Sequence, residues 1–255
     1  MMESPNAAMI MGGSVSSALP SNQGDSMKFD IKYGPAYALA DVSMDGGDSI
    51  QAVTGAMVSM TDGVGIATEM KGGLMAGLKR SVLGGESLFI NTFSASEQGQ
   101  ITLAPPLPGD IFTIELSGTL LLQSGSLLAA TADVAFDTKW GGAKTFFSGE
   151  GLFLVRCTGN GTVLASSYGA IEERSLGGGE AYTIDSGHVV GFEEGVQYEV
   201  KKAGSWKTTI LGGEGLVARL TGPGRIWMQT RSPDEFLGWL LPKLPKQEGG
   251  GFRVG

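Results

Sequence analysis

The chain has 255 residues, only 17% of them charged, and a formal net charge of −8. An acidic chain repels phosphate backbones, so general nucleic-acid binding is disfavoured, and the single cysteine, Cys157, excludes an intramolecular disulfide. The 42 glycines follow no collagen period and sit among β-branched and aromatic residues, which points to many tight turns between short strands.

Residues 1–26 are rich in Ser, Gly, Asn and Met without periodicity and read as a disordered tail. The alternative for its apolar stretch Ala7-Ala8-Met9-Ile10-Met11 is a segment that docks on a neighbouring subunit. The N-terminus has neither the basic start and apolar run of a signal peptide nor the arginines of a transit peptide. Strand signals begin at Lys28, where Phe29, Ile31 and Tyr33 alternate with polar residues. Short runs bounded by Gly, Asp or Pro follow: Met57–Met60, Leu88–Phe93, Gln100–Leu103, Ile111–Leu116 and Thr119–Leu122. The stretch Lys71–Arg80 breaks the grain. It superficially suggests a phosphate-binding loop, but Leu78 stands where the lysine belongs, so it reads as a structured loop. The most apolar stretch, Leu120–Phe136, is interrupted by Gln123, Ser124, Gly125, Ser126 and Asp133, too often for a spanning helix. A soluble cytoplasmic protein is expected.

The second half continues with runs at Leu152–Cys157, Thr162–Ala165, Ala181–Ile184, Val196–Val200, Trp206–Leu211, Leu216–Leu220 and Arg225–Gln229. A helix is expected over 232–242. Ser232 caps it, Pro233 suits its first turn, and Asp234 and Glu235 complement its N-terminal dipole. Phe236, Leu237, Leu240 and Leu241 form one apolar face, to be buried against a sheet or a partner, and Pro242 stops the helix. Residues 243–255 read as a loose tail.

One phrase recurs. Gly84-Gly85-Glu86-Ser87-Leu88-Phe89 returns as Gly149-Glu150-Gly151-Leu152-Phe153 and as Gly213-Glu214-Gly215-Leu216, with a weaker copy at Gly46-Gly47-Asp48-Ser49-Ile50. Positions 86, 150 and 214 are 64 residues apart (150 − 86 and 214 − 150). Ser124-Gly125-Ser126-Leu127 likewise parallels Ser186-Gly187-His188-Val189. Such spacing is the mark of a tandem β unit, read as two approximate halves, 27–135 and 136–231. At each phrase glycine supplies the turn and the carboxylate accepts from free backbone N–H groups, so Asp48, Glu86, Glu150 and Glu214 read as structural turn acids.

These motifs, with Gly55-Ala56-Met57-Val58-Ser59-Met60, Pro108-Gly109-Asp110, Tyr168-Gly169, Asp185-Ser186-Gly187-His188, Gly222-Pro223-Gly224 and Trp227-Met228-Gln229-Thr230-Arg231, appear in a fixed order. In that order the chain resembles the altered-inheritance-of-mitochondria protein 24 family from about Met27 to Arg231. The resemblance implies an all-β fold like that of the tryptophan RNA-binding attenuation protein (TRAP-like, a double-stranded β-helix sandwich), duplicated in one chain, to which the residue pattern adds the C-terminal helix. It also implies a homotrimer whose six β units make a ring. Mitochondrial relatives are linked to inner-membrane organisation, and the family supplies no catalytic residues to carry over.

Chemistry is sparse. His188 is the only histidine; any Ser-His-acid triad needs it, with Asp185 as the local acid, but a structural role at a repeated strand start is favoured. Arg231 reads as either an anion ligand or an ion-pair partner of a turn acid. One His and one Cys build no usual metal centre, no calcium-loop spacing occurs, and no cofactor is expected. The four tryptophans read as core or interface residues. The expected function is a non-enzymatic scaffold acting with itself as a homotrimer and with an unknown protein partner. The alternative is a small-ligand or nucleic-acid binding module, and an enzyme ranks last. Peripheral membrane association is left open.

Overall fold

The computed structural model describes residues 27–66, 79–83, 86–137, 153–202 and 216–244. The expected N-terminal tail, the expected C-terminal tail beyond Leu244, most of the loop at 71–80, the run Trp206–Leu211 and the turn acids Glu150 and Glu214 lie outside the described residues. Those that are described form an all-β fold with one short C-terminal helix.

The strands group by pairing. After β1 (Lys28–Lys32) come β2 (Leu39–Met44), β3 (Ser49–Val53), β4 (Met57–Met60), β5 (Val64–Ile66), β6 (Lys79–Leu83), β7 (Glu86–Ala95) and β8 (Gly99–Leu103). Here β8 lies between β2 and β4, and β7 lies between β3 and β5. Next come β9 (Ile111–Gln123), β10 (Leu127–Thr131), β11 (Val134–Asp137) and β12 (Leu154–Ser166). The second part of β12 lies between the first part of β9 and β10, and its first part lies between the second part of β9 and β11. Last come β13 (Ile171–Leu176), β14 (Ala181–Asp185), β15 (Val189–Glu193), β16 (Gln197–Lys202), β17 (Leu216–Thr221) and β18 (Gly224–Gln229). In this group β18 lies between β13 and β15, and β17 lies between β14 and β16.

The same two three-stranded sheets therefore recur three times, not twice. The agreement reaches single residues: the strand pair closing the first sheet of each unit is bulged once, at Met57/Ser59, Leu127/Ala129 and Val189/Gly191. The half-boundary expected at 135/136 falls inside β11. Sequence matching missed the third copy because the turn before β4 is Thr54-Gly55-Ala56, whereas the turns before β10 and β15 are Ser-Gly-Ser and Ser-Gly-His. Each unit has its own apolar core. Met44, Ile50, Phe93, Ile101 and Leu103 fill the first, Leu120, Leu122, Cys157 and Val163 the second, and Phe192, Ala218, Leu220 and Ile226 the third.

Units join by strand addition. β10 of the second unit pairs antiparallel with β3 of the first, and β15 of the third pairs antiparallel with β9 of the second. The backbone between units is stitched again just before each opening strand. The Ala38 N–H donates to Gly109 O at 2.9 Å, and one unit later Asp110 N–H donates to Gly169 O at 3.1 Å. A Cβ at Gly109 would run into the Ser167 carbonyl, so only glycine allows this approach.

Strands β9 and β12 were expected to break near Gly118 and Gly159. Both run on, because the two glycines face each other in register at φ of +119° and +137°. The pair bends together there and passes from one sheet of the second unit to the other, a corner that L-residues rarely make.

β1 extends the first unit. Lys32 donates to Asp41 on β2, and Thr102 Oγ1 donates to the same carboxylate at 2.7 Å. These contacts hold the Asp41 carboxyl below its usual range, with the Lys32 hydrogen bond the largest cause. Cys157, fully buried in the second core, is pushed up to about 12 by desolvation. Only the thiolate attacks alkylating reagents. In native buffer at pH 8 Cys157 should therefore stay unmodified by iodoacetamide, and label fully in denaturant, as mass spectrometry would show.

Candidate functional site

The residues with the most chemistry gather where the third unit meets the C-terminal helix. β14 ends at Asp185, whose Oδ1 accepts from Gly187 N–H at 2.9 Å and closes the 3₁₀ turn Ser186–His188. That turn presents His188. Its Nδ1 lies 2.7 Å from the Gln229 carbonyl, which can only accept, so Nδ1 carries the hydrogen and Nε2 faces outward. Glu235 Oε1 stands 3.9 Å from Nε2.

Gln229 is the hub. Its Nε2 donates to Gly187 O and its Oε1 accepts from Tyr168 N–H, both at 2.8 Å. One side chain thus ties the third-unit turn to the loop after β12. The chain then enters helix α1 (Pro233–Leu240), with Pro in the first turn and buried Ser232 accepting from Glu235 N–H at 3.4 Å. A Cβ at Gly187 would overlap Ser232 Oγ, so the turn and the cap fit only with glycine there. Tyr168 packs edge-on against Phe236, with ring centroids 6.1 Å apart.

Of the two settings expected for the helix, a sheet or a partner, the sheets of this chain do not supply one. The helix forms, and Leu241–Lys243 continue it as a 3₁₀ turn, but its apolar face is not buried on the sheets. Phe236, Leu237, Trp239, Leu241 and Leu244 are exposed, Trp239 and Leu241 each by 59%. Beside it lies a cleft of about 340 Å³ between the second and third units, with Gln123, Ser126, Ser166, Ser167 and Tyr168 on one wall and Pro233 and Leu237 on the other.

The structure brings His188, Asp185 and Gln229 together and sets Arg231 apart. The Arg231 Nη1 donates to the Thr230 carbonyl at 3.0 Å, on the exposed side of the turn. Asp48 accepts from Asp45 N–H at 2.8 Å. Glu86 opens β7 opposite Leu83, and its side chain lies outside the described residues. Glu180 takes the place of Asp48 in the third unit, accepting from Gly177 N–H at 2.9 Å. Sequence reading missed it because Gly178-Gly179-Glu180 precedes β14, three strands earlier in its unit than the Glu214 phrase, which precedes β17. Gln229 was also missed as a hub, since its partners lie about 40 and 60 residues away.

A model of the family described as mitochondrial biogenesis AIM24 matches residues 29–231. The chain belongs to the AIM24 family. The matched segment takes in all three units and ends at Arg231, so helix α1 lies beyond the part that defines AIM24. An uncharacterized protein of Streptococcus pyogenes serotype M6 is 31% identical over 228 residues, covering 86% of this chain and 92% of the relative. A crystal structure of a protein from Streptococcus pyogenes is similar with a TM-score of 0.70 and 29% identity, covering 86% of this chain and all of that one. Among the described residues, no helix of this AIM24 protein is long and apolar enough to cross a membrane.

Proposed function

We propose that this protein is a non-enzymatic cytoplasmic scaffold that works as a homotrimeric β ring and presents helix α1 to a protein partner. The observation that carries this reading is the use made of the polar groups beside the helix. Asp185, His188, Gln229 and Ser232 are committed to backbone atoms that fix where α1 starts. What that framework holds out to solvent is apolar: Phe236, Leu237, Trp239, Leu241 and Leu244. A rigid mount carrying an exposed apolar face suits contact with another protein better than turnover. Aromatic residues of this kind also supply much of the binding energy at interfaces.

The cleft beside α1 favours a second reading, binding of a small polar ligand, because the buried hydroxyls of Ser126, Ser166 and Ser167 line it.

The test compares two kinds of variant. With tagged protein in its native cells, Trp239→Ser combined with Leu241→Ser should abolish partner capture, while His188→Ala should retain it with a stability loss of about 0.5–1.5 kcal/mol for one hydrogen bond. If His188→Ala instead removes a measurable conversion while the assembly and its melting temperature persist, the protein is an enzyme and the scaffold reading fails.

A further inference from the structure

Each unit offers two joining edges, and the chain uses only some of them. The outer edge of β3 receives β10, and the outer edge of the second part of β9 receives β15. By the same rule β14 of the third unit should receive a strand equivalent to β4 of the first. Among the described residues neither strand has a partner on that edge: β4 ends the sheet β1-β2-β8-β4, and β14 ends the sheet β14-β17-β16.

Burial shows what the missing contact leaves bare. The strands equivalent to β4 are fully buried along β10 and buried at four of five positions along β15. All four residues of β4 are exposed, although Met57, Val58 and Met60 are apolar. A solvent-facing edge is normally guarded by charge or proline, and β4 carries neither. The second stitch is open at the same place. The Ala38 and Asp110 N–H groups bridge to the next unit, but the equivalent Ala170 N–H donates to Thr230 Oγ1, and the Tyr37 ring on the first unit's open side is 73% exposed.

We propose that a second copy of this chain completes this junction, with β4 of one copy adding antiparallel to β14 of the next. The proposal rests on the assembly reading above and names the surface that builds it. The two internal junctions fix the register. Ala129, Ala130 and Thr131 face Ala52, Gln51 and Ile50, and Gly191, Phe192 and Glu193 face Leu122, Leu121 and Leu120. Carried over through the bulge at Met57/Ser59 and the pairing of β14 with β17, this sets Ser59 opposite Ile184, Met60 opposite Thr183 and Thr61 opposite Tyr182. Each copy has one such donor edge and one such acceptor edge. The contact is therefore head-to-tail and ends only when the copies close a ring. In that ring the joints between chains repeat the joints within them.

Cysteine pairs test the register. Met60 and Thr183 are exposed and Cys157 is fully buried, so thiols placed at the two sites should neither disturb folding nor pair with the native one. Met60→Cys and Thr183→Cys, carried by separately tagged full-length chains and co-expressed, should give a disulfide-linked species bearing both tags after mild oxidation. The out-of-register combination of Met60→Cys with Ala181→Cys should lose it. With both substitutions in one chain, linked oligomers should appear on a non-reducing gel. A link formed only within single chains would overturn the proposal, because the junction would then close inside the molecule. Absence of any link in a preparation that light scattering shows to be trimeric would also overturn it, while leaving the assembly reading intact. Absence of a link in a clean monomer would sink both.

Discussion

Replacing Trp227 with alanine should cost about 3–5 kcal/mol of folding stability, among the larger single-residue effects available in a core. Trp227 lies on β18 opposite Glu173 of β13 and Gly191 of β15, and is 1% exposed. Its ring centroid is 6.1 Å from that of Phe112 on β9, so the side chain packs the third unit onto the second. The indole Nε1 donates to Glu173 Oε2 at 2.8 Å, and the Arg225 guanidinium lies over the ring at 5.2 Å. Glycine at 191 lets β15 approach β9 closely at this joint, because a Cβ there would press on the Leu121 carbonyl and the Leu122 side chain. Truncation removes the largest fully buried side chain among the described residues, from a contact between units that has little freedom to collapse. Trp227→Phe separates the two contributions: it keeps most of the ring volume and loses the hydrogen bond, so about 1–2 kcal/mol is expected. Urea unfolding of the three proteins measures both differences, and a Trp227→Ala loss under about 1 kcal/mol would show that the site repacks freely.

Gly159→Val should be as damaging, for a different reason. At φ +137° a β-branched residue is strained by about 1–3 kcal/mol, and the added Cβ would overlap the Asp133 carbonyl in the turn joining β10 to β11. Relieving that overlap means moving Gly159 away from Gly118, its partner at the bend, or unpairing β11 from β12. The total should exceed about 3 kcal/mol. Two controls separate strain from crowding. A Cβ at Gly55 meets open space but sits at φ +90°, so Gly55→Ala reports backbone strain alone. Gly178 has neither constraint, and Gly178→Ala should be close to neutral. Equal melting temperatures for Gly159→Val and Gly178→Ala would refute the role given to the bend.

Much of this architecture was legible in the sequence, and the parts that were not share a physical cause. The strands found by alternation, such as Lys28–Lys32 and Gly99–Leu103, pack one face on a core and leave the other more open. Leu127–Thr131 shows no alternation because it is buried on both faces, at the joint between two units. It was passed over as part of an apolar stretch. The continuity of β9 and β12 was hidden because a lone glycine in a strand reads as a break until its partner glycine is known. The helix was found through its cap and first turn, which are local, while its exposure was not, since burial depends on what lies opposite. His188 and Asp185 were noticed as a nearby pair. Their use in anchoring α1 depends on Gln229, which no short-range pattern connects to them.

The sharing of β9 and β12 has a consequence for how the protein comes apart. In most repeat proteins each unit touches its neighbours across a side-chain interface, and the array can fray one unit at a time. Here the central strand pair of the second unit serves both of its sheets: β9 and β12 pair from end to end, and their length crosses from one sheet to the other. β9 also carries β15 of the third unit on its edge, while β10, paired with β12, carries the first. Loosening the middle of the molecule therefore strips an edge from both outer units at once. Within the chain the three units should melt in a single cooperative transition, and a version with the middle unit excised would leave two incomplete fragments, not a shorter protein.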